Sequence, residues 1–271
     1  MFFLLNRCMT NTNPLLLSIR MPGETFRLPS GGLFYPAESG ILAPHVTDGE
    51  IVIFPMTALD EIAFKTPDLL FSGQAVEQVF ARCVPDVLKP KELLAKDVDF
   101  ILIALRKVSY GLEMEMQYKH KCENAKLHSY IASIDKFIRM SKRIDPSRII
   151  SDFTIDLMNG QKAKLAPLNY KSFVEIMQAS DQTSDVDTPE KIAAGLYNSI
   201  SKIILSVDGI DDKAMIIEWL SKIPPKMISQ ITSAIDKTTE WGPDFKTIIT
   251  CKDCGQEESV QTPLNPLTFF T

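Results

Sequence analysis

Histidine is scarce in this chain, with three in 271 residues, and there are only five cysteines and two tryptophans. So few histidines leave little for acid–base catalysis. No G-x-S-x-G, P-loop or H-E-x-x-H pattern supplies a nucleophile, a phosphate cradle or a zinc-hydrolase pair. Gly31-Gly32 is too short for a phosphate loop and reads as turn chemistry. Five cysteines with one C-x-x-C among them do not resemble a secreted disulfide framework, and a reducing compartment with a metal site fits better. A basic excess is also missing. The net charge is −5, which disfavours a phosphate-binding surface and leaves room only for a local basic patch. Long apolar runs are absent as well. FFLL and LLLSI near the N-terminus are split by Asn6, Arg7 and Pro14, and neither approaches the ~20 residues of a membrane span. No basic region precedes Phe2, as a signal peptide would require. Residues 1–26 read as an N-terminal arm, with Met9 and Met21 as alternative starts.

What is present suffices for a packed core, since 45% of the residues are hydrophobic and 23% charged. Glu50-Ile-Val-Ile-Phe54 is β-branched and reads as a strand that Pro55 stops. Thr57 can cap a following helix. Asp60 and Glu61 then fall in its first turn, where the helix dipole accounts for them better than catalysis does. A further helix is expected from Gln74 to about Cys83, a lone cysteine taken as core. Between Lys91 and Tyr110 the residues Leu93, Leu94, Val98, Ile101, Leu102, Leu105 and Val108 recur at helical spacing, and Gly111 closes the segment. This should be the most buried helix.

The period then changes. Leu112 to Tyr118 alternates apolar and polar residues, a half-buried strand that runs on into KHKC. Tyr118, His120 and Cys122 share a face there, and Leu127 to Ile134 returns as a second strand carrying His128. The stretch Lys136, Arg139, Lys142, Arg143, Arg148 is basic. With no aromatic platform beside it, it reads as a solvated face. Asn159-Gly160 between Ile155, Leu157 and Leu165 predicts a second hairpin with a type I′ turn. Beyond Pro167 the chain should be helical: Tyr170 to Ala179, Pro189 to about Val207, Asp211-Asp212 through Leu220, and Met227 to about Thr238. Thr247 to Thr250 returns to β structure.

The pattern Cys251-x-x-Cys254-Gly255 is half of a zinc knuckle. Both thiolates can face one ion across a tight turn, and glycine tolerates the left-handed backbone there. The other ligands must come from elsewhere, and only the hairpin around Cys122 offers them. A full knuckle would place cysteine at 125, where this chain has alanine, so a histidine is needed. The expected zinc ligands are Cys122, His128, Cys251 and Cys254, with His120 as the substitute for His128. Such a clip closes a long loop and couples metal binding to folding. Past Gln261, two prolines and Asn265 argue against helix, yet Leu264, Leu267, Phe269 and Phe270 are too apolar to float in water. That tail should dock in a groove, expected near the central hairpin.

Taken together, the motifs RLPSGGLFY, GEIVIFPMTALDEI, PDLLFSG, CVPD and DVDFILIALRKVSYG, a cysteine-bearing hairpin and a terminal C-x-x-C with NPLTFF carry a resemblance. From about Arg27 to Phe270 the chain resembles the baseplate hub and hub-assembly proteins of T4-like contractile-tailed phages. The resemblance implies a structural or assembly role and brings no catalytic residues with it. Partners would be other baseplate hub and tail proteins, with no small-molecule substrate. The place of action would be the virion tail baseplate, or the host cytoplasm during tail assembly. The alternative is a zinc-ribbon nucleic-acid-binding module. The expected fold is α+β, mixing helices and β-hairpins, with a zinc-ribbon-like portion formed by the central hairpin and the C-terminal knuckle. Its parts are residues 1–26 as an arm, 27–166 as the α+β core with the Cys/His hairpin, 167–244 as a helical region, and 245–271 as knuckle and apolar tail packing on the core.

Overall fold

The structure, a computed structural model, describes residues 21–119, 127–147, 153–181, 188–238, 240–261 and 269–270. Cys122 and His120 lie outside them, as do the N-terminal arm up to residue 20, Arg148, and Leu264 and Leu267 of the tail. The described chain is mixed α+β with small antiparallel sheets.

The first half builds one core. Strands β1 (Glu24–Arg27) and β2 (Glu50–Ile53) pair antiparallel, with Phe26 opposite Ile51. Helix α1 (Ala58–Phe64) starts where Thr57 predicts. The Asp60 carboxylate accepts the Thr57 N–H at 2.8 Å and its hydroxyl at 2.7 Å, and also pairs with the Arg82 guanidinium. Burial raises this carboxyl's pKa, but the Thr57 bonds and Arg82 outweigh it and hold the group below the usual range. Asp60 is therefore a capping and ion-pairing residue, as helix-start electrostatics implied. Helices α2 (Pro67–Phe71) and α3 (Gln74–Cys83) follow. Cys83 is core, and burial pushes its thiol up to about 12.

Helix α4 (Ala95–Tyr110) is the centre of the core. It begins later than the periodicity suggested, because Pro90–Glu92 forms a 3-10 turn and Leu93 and Leu94 are extended. Proline sits well in a first turn, and the two leucines still bury completely or nearly so. Near the start of α4, Asp97 is fully buried. It accepts the Tyr35 hydroxyl at 2.5 Å and the Ser30 N–H at 3.1 Å, so the Ser30–Gly32 turn is tied to the helix.

Strands β3 (Glu113–Lys119) and β4 (Leu127–Ser133) form the central hairpin. The second strand ends one residue early. Ser133 caps α5 (Ile134–Arg139), its hydroxyl accepting the Lys136 N–H at 3.2 Å.

A second hydrophobic cluster gathers around β5 (Thr154–Asp156), β6 (Lys162–Leu165) and β7 (Ile204–Val207), which form one sheet in that order. The expected type I′ turn is not what joins β5 to β6. Gly160 alone has positive φ, at 85°, and its N–H bonds to Leu157 O at 2.8 Å, while Leu157 N–H bonds to Gln161 O at 2.8 Å. The turn thus centres on Met158-Asn159, with Gly160 absorbing the extra residue as a bulge. Asn159 favours this form because its Oδ1 accepts the Gln161 N–H at 3.1 Å.

Helix α6 spans Tyr170–Asp181, and α7 (Pro189–Ile203) stops before the expected Val207. The last four residues form β7 instead, since Ile204 and Val207 bury against the open edge of β6. Helices α8 (Lys213–Leu220) and α9 (Pro225–Thr238) cover this sheet through Ile216, Leu220, Met227 and Ile231. Strands β8 (Lys246–Thr250) and β9 (Glu257–Gln261) make the last hairpin.

Phe269 and Phe270 return to the first core, and both are almost completely buried. Phe270 stacks on Phe64 with ring centroids 4.5 Å apart. Arg106 donates to Phe269 O at 2.5 Å, and the Tyr110 hydroxyl donates to Phe270 O at 3.3 Å. The groove lies within this chain, but α1 and α4 form it rather than the central hairpin. The flat Phe64 ring and two donors on α4 satisfy both the aromatic rings and the chain-end carbonyls. Phe269 also has helical backbone, against the reading that the tail excludes helix.

Candidate metal centre

The β3–β4 and β8–β9 hairpins meet at their ends. Tyr118 and His128 face each other across β3 and β4, with rings 5.6 Å apart. The Tyr118 hydroxyl donates to Thr250 O at 3.4 Å, which links the central hairpin to the last residue of β8. Between β8 and β9 the chain turns tightly. Gly255 N–H bonds to Cys251 O at 2.9 Å, and Cys251 N–H bonds to Gln256 O at 2.8 Å. Gly255 takes φ +71°, the left-handed backbone that the C-x-x-C-G pattern called for.

This turn brings Cys251, which is buried, to His128. It also brings Asp253, which lies between the two cysteines and is absent from the expected ligand set. Ligating atoms of His128, Cys251 and Asp253 all lie within 4.8 Å of one another. His128 Nε2 is 2.7 Å from Asp253 Oδ2. Of the four expected ligands, the structure joins His128 to Cys251 and places Cys254 exposed on the same turn. Cys122 lies outside the described residues. Asp253 was legible in principle, because a carboxylate inside C-x-x-C on a tight turn must stay near the thiols. What the sequence could not supply was the pairing of that turn with His128.

The donor set suits a divalent ion of borderline softness: a thiolate, an imidazole and a carboxylate are the ligand types zinc takes. A carboxylate bonded to one ring nitrogen also fixes the ring and leaves the other nitrogen for a metal. Burial raises the pKa of the Tyr118 phenol. The nearby thiols of Cys251 and Cys254 and the carboxylates of Asp253 and Glu258 raise it further. The site is thus rich in negative or potentially negative groups, a field that favours a cation.

Elsewhere, His45 Nε2 lies 2.8 Å from Asp86, whose other oxygen accepts the Val52 N–H at 2.7 Å. That pair ties a surface loop to β2. No helix among the described residues is long and apolar enough to cross a membrane.

The family of the T4 bacteriophage base plate protein matches residues 51–271. No curated protein and no solved structure matches the chain significantly. The family match covers the second hydrophobic cluster, both hairpins of the candidate centre and the first cluster from Ile51 onward, but not Phe26, Leu28 and Tyr35. It carries a structural role in the phage tail baseplate, exercised through contacts with other phage proteins. The chain belongs to the T4 bacteriophage base plate protein family.

Proposed function

We propose that this protein is a component or assembly factor of the central baseplate hub, that it acts by protein–protein contact without catalysis, and that a structural zinc ion clips its two hairpins together. The observation that carries the reading is the convergence of His128, Cys251 and Asp253 from separate hairpins within a structural baseplate family. Zinc would be held by Cys251 and His128, with Cys254 and Cys122 as further thiolates and Asp253 orienting the imidazole. A closed set of thiolates and imidazole gives such a centre a stabilising role and leaves no open position for water activation. The hub assignment rests on the run of motifs from Arg27 to Phe270. Affinity purification of the tagged chain from infected cells tests it. Hub and tail-tube-proximal proteins should co-purify. Recovery with peripheral baseplate proteins alone would overturn the hub assignment.

A further inference from the structure

The basic stretch after α5 faces aromatic side chains that are remote from it in sequence. Lys142 and Arg143 line a groove of about 650 Å³ together with Ile144, Phe153, Lys237 and Trp241. Paired backbone bonds between Lys142 and Gly242, of 3.0 and 2.8 Å, hold the basic segment against the Trp241 turn. Phe34 backs both aromatic walls, its ring stacked 6.4 Å from Trp241 and edge-on 6.0 Å from Phe153. The basic side chains stay exposed, as a solvated face requires, while Phe153 and Trp241, both almost fully buried, show only their edges in the wall beside them.

Arg143 also lines a second, smaller hollow of about 280 Å³ with Arg27, Arg139 and Ser141. The buried Ser141 hydroxyl has no hydrogen-bond partner among the described residues. Arg27 and Arg139 are already engaged by Asp48 and Asp135. Lys142, Arg143 and Lys237 are exposed and make no ion pair among the described residues. In a chain of net charge −5, three cations against the carboxylates of Asp145 and Glu240 leave this groove locally positive beside an apolar wall.

We infer that this groove docks an acidic, extended peptide segment of a neighbouring protein, with carboxylates on Lys142, Arg143 and Lys237 and an apolar side chain against Phe153 and Trp241. Charge complementarity sets the sign of the occupant. Asp145 and Glu240 also stand on the groove wall. A phosphate backbone, charged at every step, would meet both carboxylates. A peptide strand alternates its side chains and can place neutral residues opposite them. The inference is independent of whether the chain sits in the hub.

The test uses a short fluorescein-labelled peptide of glutamates with one central leucine, its glutamine counterpart, and a single-stranded oligonucleotide of equal charge. At low salt the glutamate peptide should bind saturably and weaken steeply as salt is added. The glutamine peptide should not bind. Lys142→Glu with Arg143→Glu should weaken binding at least about tenfold, equivalent to ~1.4 kcal/mol, with an unchanged urea midpoint. If that midpoint moves, Lys142→Gln with Arg143→Gln should still reduce the salt dependence. Absence of saturable binding, an unaltered affinity in the folded variants, or tighter binding of the oligonucleotide would each overturn the inference.

Discussion

Helix α4 buries nine of its residues between Asp97 and Arg106, whereas no residue of β9 is buried. Around α4 the chain is held by apolar packing from both ends of the sequence, and Phe269 and Phe270 close the core that Phe26 and Leu28 begin. The paired hairpins bury few side chains, chiefly Met114, Tyr118, Ala132, Ile249 and Cys251. They meet through individual polar bonds, Tyr118 to Thr250 and His128 to Asp253. Packing tolerates gradual loss because many contacts share it. A junction of two polar bonds fails when one partner goes.

The widest separation between the two regions is expected from Phe270→Ala. Removing a fully buried ring that stacks on Phe64 should cost ~3–5 kcal/mol in urea denaturation. Phe269, whose ring packs edge-on against Phe270 and lies under the Arg106 guanidinium, would lose part of its support. A cost below ~1 kcal/mol would show that the tail only rests on the core.

A pH titration of stability probes the same core. Burial pushes the Asp97 carboxyl up to about 6, despite the hydrogen bonds from Ser30 and Tyr35 that work against it. Asp99 is likewise raised to about 6 by burial. Between about pH 4 and 6 the unfolded chain has released protons that the folded chain still holds. Stability should therefore fall as pH rises through that window and level off above it. Asp60, held low, acts in a different window: its contribution is present above the unfolded value and lost below about pH 4. For Asp97 the effect amounts to as much as ~3 kcal/mol, and Asp97→Asn should make the slope between pH 4 and 6 shallower. An unchanged slope would mean that Asp97 is ionised throughout.

The smallest global effect belongs to the hairpins. Protein purified without chelator should carry about one zinc per chain, as a single tetrahedral site requires. Cys251→Ser should release it and cost ~1–3 kcal/mol, with faster amide exchange in β8 and β9 and unchanged exchange in α4. Metal-free protein with protected β8 and β9 would show that no metal clip holds this region.

Much of the molecule was legible from local pattern. The strand before Pro55, the cap at Thr57, the core character of Cys83 and the burial of α4 follow from periodicity and capping chemistry, which act within a few residues. The departures come from longer range. Ile204 to Val207 continues a helical pattern, and only the vacant edge of β6 makes it a strand. Asn159-Gly160 reads as a type I′ turn, and the register of β5 against β6 turns it into a bulged loop. The tail reads as apolar and docked, but no local rule names Phe64 and Arg106 as its receptor.

The same division holds at the candidate centre and at the groove. By itself the sequence determined the knuckle turn, because the spacing Cys251-x-x-Cys254-Gly255 and the left-handed glycine are properties of a few adjacent bonds. It also picked out Cys251, Cys254 and His128 as residues of metal-ligating type, without Asp253, and the residues that carry positive charge. Only the tertiary structure decided that Asp253 meets His128, and that Trp241 and Phe153 wall the basic segment. These partners are separated by long stretches of chain, and the packing of whole hairpins and helices, which no short window contains, sets their distances.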